Sequence, residues 1–192
     1  MKTTKQTVSR AKKQAILITG VPGCGKTTLA KTLAKKNKWN YLSLNDIASK
    51  PGFYSKIDKK DNAKIANLPK LEREANKIIS NSSKSIVVDG HLGADLHLNV
   101  NKVIVLRINP THLQKRLAKR NYNLQKIEQN TTAEALDYCT LASEQNYSKK
   151  KIFEIDATCI EKKPLFEKLM LLLQNPKAYS KPKINWSSFI LR

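Results

Sequence analysis

Gly20-Val21-Pro22-Gly23-Cys24-Gly25-Lys26-Thr27-Thr28 follows an apolar run, Ala15-Ile16-Leu17-Ile18, and leads into Leu29-Ala30-Lys31-Thr32-Leu33-Ala34. A strand, a glycine-rich turn and a helix thus come in the order a phosphate-binding loop requires, and the pattern G-x-x-x-x-G-K-[ST] is matched in full. Glycines let consecutive backbone N–H groups turn inward around a phosphate, and the helix start adds the positive end of its dipole. Gly23, Cys24, Gly25, Lys26, Thr27 and Thr28 are therefore expected to bind a nucleoside triphosphate. Lys26 would reach the β and γ phosphates, and the Thr27 hydroxyl would hold Mg²⁺. Cys24 has two readings: a thiol activated by the helix N-terminus, or a small filler in the loop.

Outward from this loop, the apolar runs mark further strands. On its C-terminal side a helix is expected from Lys26 to about Asn37, then a second strand, Trp39-Asn40-Tyr41-Leu42-Ser43-Leu44, with Asn45-Asp46 as a cap for a short helix. From Lys50 to Pro69 the periodicity breaks down around Pro51-Gly52 and a run of lysines, which predicts an insert outside the core. A helix returns over Leu71 to Ile79. Ser85-Ile86-Val87-Val88-Asp89 reads as a buried parallel strand whose terminal acid emerges at the carboxyl edge. Asp89 either holds the Mg²⁺ water shell or only caps the following turn.

Val103 to Ile108 is a further buried strand, and Asn109-Pro110-Thr111 places Pro at a first helical position. The helix that follows turns Leu113 and Leu117 inward and carries Arg116 and Arg120. A polar irregular segment, Asn121 to Gln129, is expected before a helix over Ala133 to Gln145. Ile152 to Asp156 is a fifth strand and Pro164 to Leu173 a last major helix. Five strands alternating with helices predict an α/β, three-layer P-loop NTPase fold around a parallel sheet.

The chain has 192 residues, enough for one such domain. With 36 basic against 15 acidic residues its net charge is +21. Residues 1–14 and 177–192 hold basic residues and no acids, yet most of the excess lies in the body. A polyanionic partner is expected, and RNA or a ribonucleoprotein is favoured over a membrane because no amphipathic anchor or lipidation motif is present. Without an apolar span or a secretory h-region, a cytoplasmic location is expected. Cys24, Cys139 and Cys159 form no C-x-x-C pair, against a disulfide framework or zinc site.

A phosphate loop alone does not separate a kinase from a switch GTPase or an assembly ATPase. The base-reading Asn-Lys-x-Asp element of switch GTPases is absent at a suitable place. Arg116 and Arg120 are four apart on one helix face, where guanidinium groups could hold the charge of a phosphoryl group in transfer. The alternative is that both are surface residues.

Together the phosphate loop, Tyr41 to Ala48, Val88-Asp89-Gly90-His91-Leu92-Gly93, Val105-Leu106-Arg107 and Arg120-Asn121-Tyr122 through Lys126, Glu128 and Asn130 resemble adenylate kinase isoenzyme six, a family linked to small ribosomal subunit assembly. The resemblance covers roughly residues 15–160. It implies ATP + AMP to 2 ADP with Mg²⁺, an associated ATPase activity, and a small-subunit ribosomal protein and ribosomal RNA as partners. It divides the chain into a basic arm over 1–14, a kinase domain over 15–174 with a monophosphate-binding insert at about 43–68 and a lid at about 119–130, and a basic, aromatic tail over 175–192.

The same resemblance implies roles. Lys26, Asp89, His91 and Arg120 would be catalytic. Arg116 and Arg120 would clamp ATP with the loop, Thr27 and Asp89 would position the metal, and Asp46, His91 and Arg107 would meet the monophosphate. The alternative for His91 is a structural role. Asn121 stands where the family has Gly, and Asn tolerates left-handed backbone angles better than most residues. A lysine-rich insert replaces an acidic one, and its lysines could attract AMP or bind RNA. The same loop and basic surface also suit a P-loop kinase for another acceptor, such as a polynucleotide 5′ end.

Overall fold

The computed structural model describes residues 13–57, 64–158, 161–182 and 184–190. Most of the expected basic arm, part of the insert, and Cys159 lie outside the described residues. A five-stranded sheet forms the centre, built from β1 (Ala15–Thr19), β2 (Asn40–Ser43), β5 (Ile86–Asp89), β6 (Lys102–Arg107) and β7 (Ile152–Asp156). Its order is β2-β5-β1-β6-β7 and every pairing is parallel. All five residues of β1 and all four of β5 are buried, so both sheet faces are covered, as parallel sheets require.

The covering elements include α1 (Lys26–Asn37), α3 (Leu68–Asn81), α4 (Pro110–Ala118), α5 (Leu124–Ala135), α6 (Tyr138–Asn146) and α7 (Lys162–Gln174). The chain leaves β1 toward one edge and later crosses to β6 on the other side. The carboxyl end of β1 is thus the switch point at which open α/β sheets bind ligands.

Local chemistry explains where the elements begin. Pro110 opens α4 as expected, with the Asn109 side chain accepting from Thr111 N at 2.9 Å. The short helix α2 (Leu44–Ala48) is capped by Ser43, whose Oγ accepts from Asp46 N at 3.1 Å, not by Asn45-Asp46. Within the insert, β3 (Tyr54–Ile57) and β4 (Lys64–Ala66) pair antiparallel as a separate small sheet.

The segment expected to be irregular is helical from Leu124, because Asn123 accepts from Lys126 N at 2.8 Å and caps α5. Only 119–123 remain as a turn. Asn121 has φ 57, so it takes the left-handed conformation open to it. The single helix expected over Ala133 to Gln145 is two helices, broken at Asp137 with φ 56.

Candidate active site

The phosphate loop joins β1 to α1 at the switch point. Gly25, the residue before α1, has φ 108, and a Cβ there would meet nothing within 4 Å. Backbone strain, not crowding, therefore selects glycine at that position. Gly23, with φ 92, is crowded as well: a Cβ would lie 2.8 Å from side-chain methyls of Leu113 and Leu117. The loop thus rests directly on α4, the helix that carries Arg116 and leads into Arg120.

Lys26 is 6% exposed and its Nζ donates to Val21 O at 3.0 Å. The ammonium is folded back onto its own loop, where a carbonyl meets the charge that a phosphate would otherwise take. Thr27 and Thr28 lie in the first turn of α1. Cys24 is buried at 1% exposure, and burial pushes its thiol above the ordinary range. Desolvation outweighs the neighbouring Lys26, which runs against the activated-thiol reading and favours the small-filler one.

Asp89 ends β5 beside β1, in register with Ile18 and, across β2, with Ser43. It is 4% exposed; its Oδ2 accepts from the Tyr41 hydroxyl at 3.0 Å, and its Oδ1 is buried with no hydrogen-bond partner among the described residues. An orphaned buried carboxylate oxygen at the strand end beside the loop that carries the Thr27 hydroxyl fits the oxygen-donor preference of Mg²⁺. No cluster of three or more His, Cys, Asp or Glu suited to a protein-only metal cage occurs among the described residues.

His91 begins the 3-10 turn 91–95 just past Asp89. Thr19 Oγ1 donates to its carbonyl at 3.2 Å, and Tyr147 OH donates to Gly93 O at 2.7 Å, so the turn is fixed from both sides. Burial first, and then the Lys26 ammonium, push its imidazole down to about 4. His91 is therefore neutral at physiological pH and lies within electrostatic reach of the loop lysine. Asp46 lies in the first turn of α2, close enough for its charge to act on Tyr41.

A cavity of about 400 Å³ opens beside the loop, lined by Gly23, Cys24, Gly25 and Thr28 together with Arg116, Arg120 and Phe166. Arg116 bridges its two walls, with long contacts from Nη1 to Cys24 O at 3.5 Å and Nη2 to Ala157 O at 3.4 Å. Arg120 is exposed at the rim. Lys36, Lys162 and Lys163 complete a cationic border, and Lys36 Nζ stands 4.4 Å from the Phe166 ring centroid. Phe166, Ala157 and these lysines form no sequence motif. All but Lys36 arrive from α7 and the turn after β7, and only the sheet order could have signalled them.

Arg107 does not join the site, which corrects its expected role as a monophosphate ligand. It is 2% exposed; Nε donates to Glu134 Oε1 at 2.8 Å, Nη1 to Glu154 Oε1 at 2.6 Å, and Nη2 to Asp137 Oδ1. Burial opposes its charge, but these carboxylates outweigh it and hold the guanidinium above its ordinary range. Glu134 Oε1 also accepts from Ile108 N at 3.1 Å, and Lys181 Nζ meets Glu154 Oε2 at 2.9 Å. The guanidinium therefore ties α5 and β7 to β6, and through Glu154 the C-terminal tail as well.

Fold and site define a P-loop nucleotide-binding protein of the kinase-like kind. The AAA domain family matches residues 16–137. A "Putative adenylate kinase" of Methanococcus maripaludis is 35% identical over 171 residues, covering 84% of this chain and 91% of its own length. One of the same name from Methanocaldococcus jannaschii is 32% identical over 173 residues, covering 90% and 92%. The chain belongs to this AAA-domain, adenylate kinase-like family. In fold it is also similar to shikimate kinase from Bacteroides thetaiotaomicron, with a TM-score of 0.54, 16% identity and coverage of 84% of this chain and 98% of that one.

Proposed function

We propose that the protein transfers the γ-phosphoryl group of ATP to AMP, giving two ADP. The observation that carries this reading is the convergence around one loop of a buried lysine, an orphaned carboxylate oxygen and the arginines Arg116 and Arg120. Family membership supports it, since the relatives bear the name of adenylate kinase.

In this reading the loop N–H groups and Lys26, released from Val21 O, take the β and γ phosphates. Arg116 and Arg120 cover them from the side of α4, and the base and ribose lie toward Phe166. Thr27 and Asp89 would hold Mg²⁺, which when bound offsets the negative charge of the triphosphate. AMP enters between Asp46 and His91, and the neutral imidazole adds no competing charge at the acceptor. An AMP phosphate oxygen forms the new bond to the γ phosphorus as the bond to the β–γ bridging oxygen breaks, and ADP leaves with that oxygen. The protein contributes position and electrostatic stabilisation of the charge spread over the equatorial oxygens.

The test is ADP formation from ATP, AMP and Mg²⁺. ADP well above an ATP-only control is expected, and parity with that control overturns the proposal. Competition between AMP and a 5′-hydroxyl RNA as acceptor separates this reading from polynucleotide end phosphorylation.

A second reading is favoured by the net charge of +21. Here the chain is a member of the isoenzyme six branch, an ATPase serving small ribosomal subunit assembly, with AMP phosphorylation incidental. ATP hydrolysis without AMP should then change when a small-subunit ribosomal protein or its RNA is added, and partner-insensitive hydrolysis would count against it.

A further inference from the structure

Away from the nucleotide cavity, a groove of about 590 Å³ runs along the open edge of the sheet at β2. Four lysines line it, Lys31, Lys35, Lys38 and Lys84, with two aromatics, Trp39 and Tyr41. Among the described residues no acidic side chain lines it. The next stretch of the same edge adds Lys77 and one acid, Glu74.

Lysines on an edge strand have an ordinary explanation, since they discourage pairing with a second sheet. Three features exceed that need. Both aromatics are half-buried against the core yet still line the groove among the lysines, and Lys31 Nζ stands 5.6 Å from the Tyr41 ring centroid. Lys38 closes α1 in the left-handed conformation at φ 55, where glycine is the unstrained choice. A cation is thus kept at a position that favours a residue without a side chain. Finally, the groove has volume, which edge protection does not require.

We propose that this groove binds single-stranded nucleic acid, with bases stacked on Trp39 and Tyr41 and phosphates on the four lysines. Stacking on aromatic side chains is open only to unpaired bases. An anionic membrane would instead need projecting aliphatic side chains around the lysines, and Ala34, the only aliphatic residue in the lining among the described residues, is buried. The site uses residues outside the proposed transfer machinery except for Tyr41, so it does not rest on that reading.

The experiment is anisotropy of labelled single-stranded RNA and DNA of about ten nucleotides, titrated across a salt series against the full chain. The triple variant Lys35→Gln, Lys38→Gln, Lys84→Gln should bind at least tenfold more weakly. Its slope of log affinity on log salt should be shallower by about 2, at roughly 0.7 for each phosphate no longer neutralised. Trp39→Leu should weaken binding without changing the slope, because stacking releases no counterions, and Trp39→Phe should restore most of it. ADP formation from ATP and AMP should be unchanged in the triple variant, which keeps failure here distinct from failure of the transfer reading. Unchanged affinity and slope in the triple variant overturns the proposal. So does equal binding of a duplex of the same length, or equal retention on phosphatidylserine vesicles.

Discussion

The Tyr41 hydroxyl donates to Asp89 Oδ2 at 3.0 Å across neighbouring strands, and Oδ1 of the same buried carboxylate has no hydrogen-bond partner among the described residues. In the proposed reading, one oxygen is fixed by the protein and the other would face the Mg²⁺ that Thr27 and Asp89 hold. Tyr41→Phe removes the fixed side and lets the carboxylate turn. A hydrogen bond to a charged acceptor is worth roughly 1.5–3 kcal/mol, so kcat should fall about tenfold or more while the KM for AMP changes little. Steady-state kinetics over a Mg²⁺ series would check this, with a raised Mg²⁺ requirement as the accompanying sign.

His91 predicts a pH dependence of stability. Its folded value of about 4 lies below the unfolded value of about 6.5. Between these the unfolded chain binds a proton that the folded chain does not, so stability is constant above about pH 6.5 and falls as pH drops toward 4. The loss is no more than about 3 kcal/mol. Urea unfolding at neutral and mildly acidic pH should show this slope, and His91→Asn should reduce it.

Arg107 predicts a stability effect without a substrate effect. Arg107→Met leaves Glu134 and Glu154 buried without their partner, a change that costs about 3–5 kcal/mol. The triple change with Glu134→Gln and Glu154→Gln should recover much of it. Arg107→Lys cannot span three carboxylates and should also lower the unfolding midpoint, yet keep the KM for AMP. A raised KM at unchanged stability would return Arg107 to the phosphate.

Phe166 predicts a binding effect without a chemical one. It lines the cavity beside the loop, and its apolar ring offers nothing to a phosphate. Phe166→Ala should raise the KM for ATP about tenfold, which is about 1.4 kcal/mol, with kcat nearly unchanged. Product formation at varied ATP and saturating AMP is the measurement.

The parts of the site legible in the sequence are those held by local constraint. The loop requires glycines at fixed spacing, β5 requires an apolar run before Asp89, and Asn109-Pro110 announces the start of α4. The parts that escape a linear reading depend on which strands become neighbours. Arg107 at a strand end looks like a phosphate ligand until Glu134, Asp137 and Glu154, 27, 30 and 47 residues away, are placed around it. Tyr41 meets Asp89 only because β2 lies beside β5, and Phe166 reaches the loop only through the fold of α7. The helix from Leu124 is hard to see in the chain because its polar surface carries little apolar periodicity, while its cap, Asn123, resembles loop composition.

In the proposed reading, the seat of Gly23 on Leu113 and Leu117 bears on how the two arginines would be spaced from the phosphates. Arg116 and Arg120 belong to the same short stretch of chain as those leucines, so apolar contact beneath the loop sets the height of the guanidinium groups above it. A side chain at position 23 would act as a shim. Phosphate contacts could survive while the arginines were lifted away, and the symptom would be slowed chemistry on a nucleotide that still binds.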